Sequence, residues 1–180
     1  MKKVVVLMVA GLLLSACSST VQQSDSAGTP VFSSSPQTNK PDQLPATSLM
    51  NIANKEQTTT SQILQEAKII NFWASWCTTC RKEYPLLADK ELTANMIGIN
   101  VQDASLGEQQ RLDAFNLLQQ NNITFSNYVD VDETLTKSIG IVGLPVTIVV
   151  DKTGNIIERF DGPVSRTKLE QFNDELRKLK

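Results

Sequence analysis

Residues 68–85 constrain this chain more than any other stretch. An apolar, β-branched run from Lys68 to Ala74 leads straight into Cys77-Thr78-Thr79-Cys80, and a helical pattern follows. The run is apolar enough to be a central strand, covered on both faces of a sheet. A strand that delivers a Cys-x-x-Cys pair to the start of a helix has the form of a redox dithiol. Unpaired N–H groups and the positive end of the helix dipole favour an anion at Cys77, hence the thiolate that attacks disulfides. Cys80 falls three residues later on the same helical face, so the two sulfurs can join or part with little backbone motion.

The rest of the chain leaves this pair alone. Lys2 and Lys3 precede an apolar run, Val4 to Leu14, that ends in Leu14-Ser15-Ala16-Cys17. A charged start, a short apolar stretch and small residues make residues 1–16 a secretory signal, and the run is too short to span a bilayer comfortably. The Leu-Ser-Ala-Cys ending resembles the lipobox of bacterial lipoproteins. That implies cleavage before Cys17 and lipid on its sulfur; an ordinary signal peptide with a cysteine is the alternative. With Cys17 lipidated, Cys77 and Cys80 are the only thiols left of three, and export places them where disulfides persist. Ser18 does not look like an inner-membrane retention signal. The expected location is therefore the outer membrane facing the periplasm in a two-membrane cell, or the outer face of the plasma membrane in a one-membrane cell.

Two cysteines and no histidine cannot supply the roughly four ligands of a structural zinc site, so no metal or other cofactor is expected. The lack of His also removes imidazole bases and Ser-His-Asp or Cys-His schemes. A net charge of −2 without a basic cluster argues against nucleic acid as a partner. Residues 17–45 are rich in Ser, Thr, Gln, Asn and Pro, and form a linker with a reach of about 30 Å. The remaining residues, 46–180, suffice for one core, expected as a monomer.

Along that domain, Leu49 to Ile52 and Thr58 to Leu64 suggest a short hairpin or edge structure. After Cys80 a helix carries Tyr84, Leu86 and Leu87 inward, with Pro85 inside it as a kink. Met96 to Val101 is a second buried strand. Ser105-Leu106-Gly107-Glu108 fits a capping box for a helix with Leu112, Phe115 and Leu118 on one stripe, ended by Asn121-Asn122. Thr124 to Val131 is extended, and Asp132 caps a short helix through Leu135 and Ile139 that stops at Gly140. Val146 to Asp151, a Lys152-Thr153-Gly154-Asn155 turn and Ile156 to Phe160 make a hairpin. Thr167-Lys168-Leu169-Glu170 opens a last helix that buries Leu169, Phe172, Leu176 and Leu179. Strands and helices alternate and a hairpin and helix close the chain, which implies an α/β fold with a mixed sheet flanked by helices.

Taken together, Trp-Ala-Ser-Trp-Cys-x-x-Cys after a strand, an extra helix between strands, and Gly143-Leu144-Pro145 before a hairpin and helix resemble the thioredoxin superfamily. More closely, the chain is similar to the membrane-anchored extracytoplasmic oxidoreductases of the TlpA/ResA kind. The resemblance covers residues 46–180, is most specific in Asn71 to Pro85 and Gly143 to Asp151, and is poor before Lys68. It implies a thioredoxin-like fold with an inserted helix and strand between its βαβ and ββα halves. It also implies thiol–disulfide exchange with exported disulfide-containing proteins, in the reducing direction, with electrons from a membrane thiol carrier of the DsbD/CcdA kind. On the same basis Cys77 attacks and Cys80 resolves. Pro145 takes the place of a cis-proline facing the dithiol, where Leu144 would pair with a substrate strand; a trans proline opening a strand is the alternative. Glu83 takes the place of a carboxylate that handles protons for the buried cysteine, unless it faces solvent. Thioredoxins use an Asp where this chain has Asn71. Trp73 is expected in the core and Trp76 as an apolar wall that substrates touch.

An oxidase or isomerase would use the same residues in reverse. Thr78-Thr79 offers no charge to hold a thiolate, which favours a reductant. A redox-inactive binding lipoprotein with a structural disulfide is the reading from another class. A peroxiredoxin fits worse, because its Thr three residues before the reactive Cys would fall at Ala74 or Cys77.

Overall fold

The run that leads into the dithiol forms the strand on which the sheet is built. In the computed structural model, which describes residues 42–66, 68–101 and 107–179, β3 (Lys68–Trp73) lies between a parallel β4 (Met96–Asn100) and an antiparallel β6 (Val146–Val150). All of β4 and β6, and all of β3 after Lys68, are buried. Strands covered on both faces have no need of polar alternation. Beyond β4, β5 (Asn127–Val129) is parallel to it, and β1 (Ser48–Asn51) and β2 (Gln57–Thr59) follow as antiparallel strands. On the other side β7 (Ile156–Asp161) closes the sheet, giving the order β2-β1-β5-β4-β3-β6-β7.

Side chains alternate across this sheet into two cores. Ile69 and Trp73 of β3 enter one, with Leu87 of α2 (Tyr84–Leu87), Ala114 and Leu118 of α3 (Gly107–Gln120), and Leu169, Phe172 and Leu176 of α5 (Arg166–Lys178). Ile70 and Phe72 enter the other, with Leu64 just after α1 (Thr60–Ile63) and Leu135 of α4 (Thr134–Ser138). The sheet is mixed and flanked by helices, as expected, and α3 with β5 is the insertion between the two halves.

Several local expectations need correction. The segment after the dithiol is not one kinked helix. It is a 3₁₀ turn at Cys80–Lys82 followed by the single turn of α2, with Pro85 in its first turn, where a missing N–H costs nothing. On α3 Arg111 is buried while Leu112 is exposed and Phe115 is partly covered. Arg111 earns that place by bonding Glu108 and the Ile52 carbonyl. Ser105 and Leu106 of the expected capping box lie outside the described residues. The cap of α5 is Ser165, two residues before the expected Thr167, and accepts from the Lys168 N–H at 3.2 Å. Leu179, expected inside, is exposed. Within residues 42–45, read as the end of the linker, Leu44 is buried and its N–H donates to the Gly154 carbonyl at 2.8 Å. The signal segment and Cys17 lie outside the described residues.

Candidate active site

The dithiol sits where the chain leaves β3. The Cys77 N–H closes a turn onto the Ala74 carbonyl at 3.1 Å, and the Cys80 N–H donates to Cys77 Sγ at 3.1 Å. Cys77 and Cys80 form a disulfide with their Cα atoms 5.3 Å apart. The helical segment that follows is only a few residues long, so it offers less of the dipole help expected at its start. The two cysteines differ in burial: Cys77 is 5% exposed as a residue and Cys80 0%.

A groove of about 560 Å³ runs past Cys77. Its lining comes from Trp76, Thr78 and Thr79 around the dithiol, from the Ile141 to Leu144 segment, and from Val101 and Thr136. Trp76 is 64% exposed and Val142 fully exposed, which is unusual for large apolar side chains next to a cleft. The Leu144–Pro145 peptide is cis. Pro145 is buried behind Leu144, and its carbonyl accepts from the Gly162 N–H at 2.9 Å. Trp76, Cys77 and Leu144 therefore meet at one groove, while Cys80, Glu83 and Pro145 do not line it.

Beneath the groove the first core is unusually polar. Asn71, Gly98, Asn100, Asn127 and Thr147 occupy the sheet face that carries Trp73. Trp73 is buried as expected, donates from Nε1 to Asn127 Oδ1 at 2.8 Å, and meets the Tyr84 ring edge-on at 6.4 Å between centroids. Glu83 does not face solvent: it is 1% exposed. Its Oε1 accepts from the Val164 N–H at 2.6 Å. Burial raises its pKa from 4.5 to about 7, against the opposing pull of the Val164 N–H and the Asn71 side chain.

Sequence reasoning missed Val101, Thr136, Ile141 and Val142. Ile141 and Val142 are adjacent to the Gly-Leu-Pro segment, and that adjacency was the available signal. Thr136 had none, since it reaches the groove through Asp130, a buried carboxylate that accepts the N–H groups of Leu135 and Thr136 at 3.3 and 2.8 Å and the Thr136 hydroxyl at 2.6 Å. Among the described residues there is no cluster of His, Cys, Asp and Glu that could hold a metal.

Comparison with known proteins agrees with this architecture. The Redoxin family profile matches residues 39–176. A probable thiol:disulfide interchange protein DsbE-2 of Pasteurella multocida is 30% identical over 139 residues, 76% of this chain and 71% of that protein. The thiol-disulfide oxidoreductase ResA of Bacillus thuringiensis subsp. konkukian is 25% identical over 108 residues, 57% of this chain but only 59% of ResA. The exposed lipoprotein thioredoxin Etrx1 of Streptococcus pneumoniae superposes with a TM-score of 0.59 at 21% identity, over 73% of this chain and 100% of that one. With the dithiol at the end of a central strand and a cis-proline segment across from it, the chain belongs to the redoxin family, in the TlpA/ResA/DsbE-like group of the thioredoxin superfamily.

Proposed function

We propose that this protein is an extracytoplasmic thiol–disulfide oxidoreductase that reduces disulfides in exported proteins through Cys77 and Cys80. The observation that carries the proposal is the asymmetry of the pair: Cys77 lines an apolar groove, and its partner Cys80 is fully buried and does not. In the reduced protein the Cys77 thiolate attacks a substrate disulfide. A Cys77–substrate bond forms and the substrate's other sulfur leaves as a thiolate. Cys80 then gives its proton to Glu83 and attacks Cys77 Sγ. The Cys77–Cys80 disulfide forms and the second substrate thiolate departs, so two electrons pass from protein to substrate. A carboxyl with a pKa of about 7 can both accept and return a proton near neutrality. Trp76 and Leu144 would hold the peptide on either side of the sulfur, with Pro145 setting the backbone for a paired strand.

The reducing direction is supported by the uncharged Thr78-Thr79 pair and by the similarity to proteins named ResA and DsbE. A membrane thiol carrier would then reduce Cys77–Cys80 again. A lipid on Cys17 would tether the domain, a reading favoured by the Leu-Ser-Ala-Cys segment and by the similarity of fold to an exposed lipoprotein.

A Cys80→Ala variant expressed in cells should accumulate mixed disulfides on Cys77, seen as adducts that dissolve in reductant. Recovery of none, with the variant folded and exported, would sink the exchange role. Equilibration with glutathione decides direction: a potential near that of thioredoxin, about −270 mV, supports the reductant and one near −120 mV the oxidant.

A further inference from the structure

The groove residues Ile141 to Leu144 have little of their own to hold them in place. Gly140, with φ +61°, closes α4, and the Ile141 N–H reaches back to the Thr136 carbonyl at 3.1 Å. Beyond that point no backbone hydrogen bond among the described residues involves Val142, Gly143 or Leu144. Val142 is fully exposed, and a Cβ at Gly143 would meet nothing within 4 Å. The chain is secured again at Pro145, whose carbonyl accepts from the Gly162 N–H, and at Val146, which pairs with Asp161. The course of the segment is therefore set at its two ends.

One side chain reaches both ends. Arg159 on β7 stands opposite Ile148 on β6, so it shares the sheet face that Ile148 and Leu135 of α4 bury. Its side chain is 11% exposed. Nη1 donates to the Ile139 carbonyl at 2.7 Å and Nη2 to the Gly140 carbonyl at 3.4 Å, groups of the kind that a helix end leaves without partners. Nε and Nη2 also donate to the Asp161 carboxylate at 2.8 to 3.1 Å. Asp161 is two residues further along the same face of β7, opposite Val146. One guanidinium thus joins the two residues before the segment to the strand position that faces the residue after Pro145. A planar fork of five donors can serve two carbonyls and a carboxylate together, which the point charge of a lysine cannot. Arg159 itself does not line the groove.

We propose that Arg159 is a positioning residue for substrate: by bracketing the end of α4 against Asp161 it holds Ile141 to Leu144 in one course, so that a peptide meets a pre-ordered edge beside Cys77. The identity of that peptide, a segment flanking a disulfide in an exported protein, rests on the thiol–disulfide reading. A loop ordered in advance spares binding the cost of ordering it. That saving belongs to substrates long enough to lie along the loop. A disulfide with no peptide around it meets Cys77 without using the loop and gains nothing from Arg159.

Two measurements on the full chain test this. In the oxidised protein, ¹⁵N relaxation should give backbone order parameters of about 0.85 for Val142 to Leu144, falling below about 0.6 in Arg159→Ala while β3 and β4 keep theirs. In the reduced protein, single-turnover exchange is followed with a peptide disulfide and with hydroxyethyl disulfide. Arg159→Ala should raise the half-saturating peptide concentration about five- to tenfold, with the limiting rate and the rate on the small disulfide each within about twofold of the parent. Arg159→Lys should behave like Arg159→Ala, because one ammonium cannot span both carbonyls and the carboxylate. Unchanged order parameters in the loop, an equal loss of rate with both disulfides, or full rescue by Arg159→Lys overturns the proposal. If Arg159→Ala does not fold, Arg159→Lys carries both comparisons. The relaxation measurement needs no turnover, so failure of the bracket is distinct from an absence of adducts on Cys77.

Discussion

At the scale of single residues, Gly98 shows how much an absent side chain can decide. A Cβ at that position would stand 1.8 Å from Asn127 Oδ1 and 3.0 Å from Trp73 Nε1. The bare backbone of β4 is what lets Asn127, on β5, reach across to Trp73, on β3. Gly98→Ala should therefore cost about 3 kcal/mol, from overpacking together with the lost indole hydrogen bond. Urea denaturation would measure it, and a cost below about 1 kcal/mol would mean that the Asn127 side chain relocates freely. The dithiol and Trp73 could be read from residue types alone, because each carries its chemistry in its own side chain; the cis-proline came only with the family resemblance, since Leu144-Pro145 by itself left a trans proline open. Gly98 could not. Its role depends on two side chains from neighbouring strands, and nothing in the local sequence Met96-Ile97-Gly98-Ile99 marks it.

At the scale of elements, strand runs were legible and helix ends were not. β3, β4 and β6 are apolar because both faces are covered, and that shows as an unbroken run. Caps depend on which side chain reaches the first turn. α4 illustrates the difference. Asp132 was expected to cap it, and does accept the Thr134 N–H at 3.1 Å. Its next two N–H groups belong instead to Asp130, four residues before Thr134 and fully buried. The helix carries Leu135 into the core and Thr136 to the groove, so Asp130 ties packing and site together. Asp130→Ala should cost about 3 kcal/mol by stripping several bonds to a buried carboxylate and leaving their donors unpaired. Amide exchange at Leu135 and Thr136 should speed up more than the global loss of stability explains, since the local donors lose their acceptor. Uniform acceleration across the molecule would instead assign Asp130 to the core alone. Pro85 failed as a guide for a related reason: the pattern after Cys80 marks helical residues, but not that the segment divides into two short turns around Glu83.

At the scale of the whole molecule, Glu83 makes stability depend on pH in a direction opposite to that of most carboxylates. Its folded pKa of about 7 lies above the ordinary 4.5. Below pH 4.5 it is protonated folded and unfolded, and it carries no penalty. As pH rises from 4.5 to 7 the unfolded chain ionises it while the folded protein still holds the proton, so stability falls. Above about pH 7 the full difference remains, on the order of 3 kcal/mol. Glu83→Gln keeps an acceptor for the Val164 N–H and removes the ionisation. It should therefore be more stable than the parent by a margin that grows between pH 4.5 and 7 and levels off above. Denaturation of both oxidised proteins across that range checks this; parallel curves would place the Glu83 carboxyl near its ordinary pKa and remove it as a proton acceptor at neutral pH. On the proposed mechanism, in which Glu83 takes the Cys80 proton, the same substitution should also slow release of substrate from Cys77. A gain in stability coupled to a loss of exchange is the pattern expected where a buried charge is kept for chemistry rather than for folding.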